Sequence, residues 1–174
     1  MKAGISKDGE RVEAKFRDIT GAEKVSEKAK GDALIRYQGG PDVYVEAKKA
    51  SSNTINQVRA VKYLVLVVYD TRDESWYVVP ADVVAKLCAD KKRGQHGENP
   101  FENATLSVNK LGSYKLTRAT KQTLRAKVRE CYDAAQANSK VKRRMKAALT
   151  ECSDLAAKHK KSFVDDLPVR ARGE

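Results

Sequence analysis

The segment Tyr63-Leu64-Val65-Leu66-Val67-Val68-Tyr69 is apolar almost throughout. It is far too short to span a bilayer and lacks the alternation of a strand with one wet face, so it predicts a strand covered on both sides. Such a strand sits inside a sheet, with other strands beside it and further elements above and below. A chain of 174 residues, 41% of them hydrophobic, is long enough to build one core of this kind and too short for two independent ones.

The elements around this strand can be placed from spacing. Val12, Phe16 and Ile19 recur at helical intervals and predict a helix from Gly9 to about Ile19. Ala33-Leu34-Ile35 and the alternating Asp42-Val43-Tyr44-Val45-Glu46-Ala47-Lys48 flank the turn Gln38-Gly39-Gly40-Pro41, which predicts two antiparallel strands. Ser51-Ser52-Asn53 offers capping side chains, so Thr54 to about Val61 is expected to be a short helix. After the buried strand, the polar turn Asp70 to Ser75 leads to a strand at Trp76–Val79, and Pro80-Ala81-Asp82 opens a helix through Leu87. The order is α-β-β-α-β-β-α. Between Asp90 and Ser113 a loop is expected, with one short strand at Ala104–Val108. Two amphipathic helices then follow from the spacing of Leu124, Val128, Cys131 and Ala135, and of Val141, Met145, Leu149, Cys152 and Ala156. The fold class is α/β, a central mixed sheet flanked by helices, with a C-terminal pair of basic helices. Residues 1–115 form the core, and residues 116–174 form a helical region packed on it as part of one domain.

The formal charge of +12 directs attention to polyanions, and nucleic acid leads among them. Lys121, Arg125, Lys127, Arg129, Lys140, Lys142, Arg143, Arg144 and Lys146 give the last third a largely one-signed outer face, suited to a phosphate backbone. A membrane is not expected, since no apolar run approaches the roughly 18 residues of a spanning helix and there is no lipidation motif. The N-terminal segment lacks the apolar stretch of a secretory signal, so a cytoplasmic location is expected. Cys88, Cys131 and Cys152 are odd in number and widely spaced, which predicts reduced packing residues and not a disulfide or zinc framework.

The chemistry concentrates on the two hairpin strands. Asp32 opens the first, and the second ends in Glu46-Ala47-Lys48, where the strand period puts Glu46 and Lys48 on one face. Two acids and a lysine suit phosphodiester hydrolysis. Carboxylates and the Ala47 carbonyl are hard oxygen ligands for magnesium, which takes few of them and keeps several waters. Lys48 is placed to hold a phosphate oxygen or orient the attacking water.

This pattern resembles the PD-(D/E)XK nuclease superfamily, whose mark is an acid on one strand and acid-x-lysine at the end of the next, on an α-β-β-β-α-β core. Here Gly31 precedes the first acid where the superfamily usually has proline. The resemblance spans about Gly9 to Leu87 and is strongest to small type II restriction endonucleases. It implies a magnesium-dependent deoxyribonuclease, with manganese able to substitute, cutting double-stranded DNA as a homodimer. It further implies an acid on the first helix, for which Glu13 fits better than Glu10, and a glutamine on the helix after the lysine, for which Gln57 stands.

The loop from Lys91 to Phe101 carries Lys91, Lys92, Arg93, Gln95 and His96 among glycines, a composition suited to phosphates and base edges. With Arg125, Lys142, Arg143 and Arg144 these are the expected DNA contacts. Asp42, after Gly-Gly-Pro, reads as a turn residue. Two other functions stay open: a structure-selective repair or junction-resolving nuclease, and a non-catalytic nucleic-acid-binding protein in which the three charges form only a structural cluster.

Overall fold

The computed structural model describes residues 7–26, 31–59, 64–89 and 104–138, with Arg143 and Ala147 as isolated further positions. Helix α1 (Lys7–Thr20) is followed by β1 (Glu23–Lys24), β2 (Ala33–Ile35), β3 (Val43–Ala50), β4 (Thr54–Val58), β5 (Val65–Asp70) and β6 (Ser75–Pro80). Helix α2 (Ala81–Ala89), β7 (Ala104–Ser107), a 3-10 helix (Val108–Tyr114) and α3 (Lys121–Ala137) complete the described chain. The main sheet runs β1-β2-β3-β5-β6, and β4 pairs with β7 in a separate two-stranded ribbon.

All six residues of β5 are buried, as its apolar run requires. It pairs in parallel with β3 and antiparallel with β6. Its odd residues, Val65, Val67 and Tyr69, join Val43, Val45, Trp76 and Val78 under α1 and α3, which contribute Val12, Phe16, Leu124, Val128 and Cys131. Its even residues, Leu66 and Val68, face Tyr77 and Val79 and are covered by Val84, Ala85 and Cys88 of α2 and by the ribbon's Ile55, Val58, Ala104 and Leu106. Phe16 is fully buried, and truncating such a ring costs about 3–5 kcal/mol. The α/β class with a mixed sheet flanked by helices is therefore present. Among the described residues no helix is long and apolar enough to cross a membrane.

One expected element changes type. The helix from Thr54 to about Val61 does not form; Thr54–Val58 is strand β4, antiparallel to β7. Ile55 and Val58 are three apart and both fully buried, a spacing that mimics a helical stripe. It arises here from a register shift between them, with Gln57 in the left-handed region at φ 56°. An extra residue in one strand of a pair returns the next apolar side chain to the same face one position late. Strand β1 and the 3-10 helix had no signal in the sequence. The expected second basic helix lies outside the described residues except for Arg143 and Ala147, which are helical and exposed.

Candidate active site

Strand β3 carries Glu46 and Lys48 level with Leu66 and Val68 of β5. The sheet therefore buries Glu46, which is 3% exposed, while Lys48 stays near the surface with 26% of its side chain accessible. The Lys48 ammonium stands 2.8 Å from Glu46 Oε1. Glu46 Oε2 is buried and has no hydrogen-bond partner. Leaving a buried acceptor unsatisfied costs about 1–3 kcal/mol, and more when it is charged, so this oxygen is placed at an energetic loss.

Asp32 is drawn against the same strand by two hydrogen bonds. Its N–H donates to the Val45 carbonyl at 2.8 Å, and its Oδ2 accepts from the Ala47 N–H at 2.8 Å. These contacts flank Glu46 on either side. The close approach depends on Gly31, where a Cβ would lie 2.7 Å from the Val45 carbonyl oxygen and 2.9 Å from its carbon. A backbone that cannot retreat leaves room for glycine alone.

Helix α1 brings a third acid into the field. Glu13 has its pKa raised, first by burial, next by the charge of Asp32 and, more weakly, by that of Glu46, with Arg17 and Lys48 acting against it. Arg17 lies 3.8 Å from Glu13 Oε2, a loose i,i+4 pair. Glu10 is exposed, and Asp42 binds Arg36 at 2.8 Å in the turn region.

The other sequence-derived candidates are placed differently. Gln57 is exposed on β4, and the helix on which its position beside a metal rested is absent. Arg125 donates to the carbonyl of Thr20 at 3.1 Å and to that of Arg36, and it stacks on the Tyr37 ring. On α3, Lys127 pairs with Glu130 and Arg129 with Asp133, so that helix is less one-signed than expected. Lys91, Lys92, Arg93, Gln95, His96, Lys142 and Arg144 lie outside the described residues. Cys131 is a packing residue: burial pushes its thiol up to about 12, and its Sγ donates to the Val78 carbonyl. Sequence reasoning passed over the pair at the end of β5, where Arg72 binds buried Asp70 at 2.6 Å and lowers its pKa. The one signal was an acid closing an apolar strand.

Among the described residues no group of three or more His, Cys, Asp and Glu side chains is gathered in metal-binding geometry. Two carboxylates suffice for magnesium, which binds through one or two and retains its waters. The donor chemistry fits: a buried carboxylate oxygen lacking a partner beside an aspartate held in place by the backbone. Glu46 and Asp32 would hold the ion, and Glu13 adds negative charge nearby.

No family model matches the chain, and no curated protein matches it. Among solved structures it is similar to the bacterial homing endonuclease I-Ssp6803I, at 20% identity and a TM-score of 0.36, over 46% of this chain and 72% of that one. A likeness of that TM-score identifies no shared function.

Proposed function

We propose that the chain is a magnesium-dependent endonuclease that cuts double-stranded DNA at a specific sequence, with manganese able to replace magnesium. The observation that carries this reading is the Glu46 carboxylate: buried, with one oxygen on Lys48 and the other without a partner. A purely structural ion pair gains little from such an arrangement, because burying a charge with an unsatisfied oxygen offsets its Coulomb energy. A cation site explains it.

In this reading Asp32 and Glu46 bind the ion and Asp32 is oriented by the Ala47 N–H. The ion supplies neutralising charge for the scissile phosphate and a lower pKa for attacking water. Lys48, whose side chain is 26% accessible, holds a non-bridging phosphate oxygen or the incoming water by its ammonium. The net charge of +12 raises the local concentration of duplex DNA and makes binding salt-sensitive. One such site cuts one strand, so a homodimer is the working unit for a double-strand break.

Supercoiled plasmid and genomic DNA incubated with the protein should give discrete fragments with magnesium or manganese and intact DNA with chelator. Cutting that persists in chelator, or none with any divalent cation at any salt, contradicts the proposal.

A further inference from the structure

We infer that the β4–β7 ribbon reads base edges in the major groove of duplex DNA, with Asn56, Gln57 and Thr105 as reading side chains. The inference rests on the nuclease reading for the identity of its partner.

The ribbon has one sealed face and one open face. Ile55, Val58, Ala104 and Leu106 are buried against α2 and the main sheet, which fixes the ribbon as a platform. Thr54, Asn56, Gln57 and Thr105 are exposed on it. Neither strand holds a charged residue, in a chain where 33% of residues are charged. A face kept only for solubility mixes charges of both signs. This one presents amides and hydroxyls, the groups that pair with base edges.

Local geometry favours the same use. Thr105 Oγ1 donates to Asn56 Oδ1 at 3.1 Å across the two strands, which fixes the orientation of the Asn56 amide. Gln57 occupies the left-handed region at φ 56°, unusual for a long side chain, and bulges re-aim side chains in this way beside functional sites. A two-stranded ribbon fits the width of the major groove. Arg59 just beyond β4 and Lys110 just beyond β7 are exposed, placed to meet phosphates at the groove's rims while the uncharged face meets the bases.

The ribbon is also tied to the cutting strand. Only residues 51–53 separate β3 from β4. Asn53 anchors the link, its Oδ1 accepting from the Asn109 N–H at 3.1 Å and its carbonyl from the Val108 N–H at 3.0 Å. The spacing from read bases to Glu46 and Lys48 is thereby set by the fold.

The test is selection by filter retention from a randomised duplex library, using the full chain with calcium present, followed by sequencing of bound fragments. The wild type should enrich a defined site. Gln57→Gly, which keeps the backbone conformation, should weaken preference at one or two base pairs on the order of 10- to 100-fold, from the 1–3 kcal/mol of a bidentate base contact. Asn56→Asp, which keeps the acceptor for Thr105 but loses the amide donor, should move preference at its position from adenine toward cytosine. Thermal melts confirm that each variant is folded. An unselective wild type, or variants that enrich the wild-type site unchanged, overturns the inference. Metal-dependent cutting is scored separately. DNA cut normally with preference unmoved by the ribbon variants sinks this inference alone, whereas a preference that follows the ribbon in a protein that never cuts sinks the nuclease reading alone.

Discussion

Lys48 and Glu46, two residues apart on β3, share a single contact: the ammonium lies 2.8 Å from Oε1, and the second oxygen of the buried carboxylate points at no partner. The asymmetry of that pair gives the site its consequence. A closed pair would satisfy both oxygens, whereas this one leaves a desolvated acceptor open, which in the proposed function is where a hard cation binds.

Magnesium should therefore stabilise the fold. An ion that binds only the native state adds about 2.7 kcal/mol at a concentration one hundred times its Kd. Differential scanning calorimetry should show Tm rising with magnesium in the wild type and not in Glu46→Gln. Equal rises in both would place the ion elsewhere.

Gly31→Ala should separate Asp32 from β3. The added Cβ meets the Val45 carbonyl at 2.7 Å, so the backbone must shift, at a cost of about 1–3 kcal/mol. Displacing a catalytic group by about 1 Å costs on the order of 10²-fold in rate, and cleavage should fall by that much while the variant stays folded at room temperature. A variant as active as its parent would show that the Asp32 placement is immaterial.

Glu13→Gln should change stability in a pH-dependent way. Folding raises the pKa of Glu13 above its ordinary value of 4.5, so its ionised form is less favourable in the native state than in the unfolded chain. That destabilisation is absent below the unfolded pKa and complete above the raised native one. The substitution should thus raise Tm near neutral pH, on the order of 1–3 °C, and leave it unchanged near pH 4. Saturating magnesium, which counters the repulsion from Asp32 and Glu46, should shrink the gain. A gain that is the same at both pH values would assign Glu13 no electrostatic part in the site.

How far the sequence carried this picture depends on whether neighbours along the chain or neighbours in space decide each feature. The buried β5, the hairpin of β2 and β3, and the α1 and α3 stripes follow from local periodicity. Glu46 and Lys48 share a face because a strand repeats every two residues. The capping side chains Ser51-Ser52-Asn53 favour a helix at Thr54–Val58, and only the partner strand β7, remote in sequence, draws that segment into a ribbon. The role of Gly31 depends on the Val45 carbonyl lying across the sheet, and the engagement of Arg125 depends on the carbonyls of Thr20 and Arg36, both remote in sequence. No local pattern announces either contact.

Arg125→Ala distinguishes an internal role from a DNA contact. The side chain satisfies two backbone carbonyls and lies over Tyr37, and Tyr37 in turn donates its hydroxyl to the Arg125 carbonyl at 2.6 Å. Hydrogen bonds from a charged group contribute about 1.5–3 kcal/mol, so urea unfolding should show a loss of that order. An unchanged midpoint together with weaker DNA binding would instead mark Arg125 as a phosphate contact.

The role of Lys48 in cutting is tested most directly by single-turnover cleavage by Lys48→Ala in magnesium, with DNA retention and a thermal melt measured on the same sample. Because removing the ammonium leaves Glu46 buried without its partner, the double variant Glu46→Gln/Lys48→Met, which removes both charges, serves as the control for folding. Both variants should bind DNA, and cleavage by each should fall by at least about 10²–10³-fold, the loss typical of one preorganised transition-state contact. Cleavage by Lys48→Ala at the parent's rate would contradict that role.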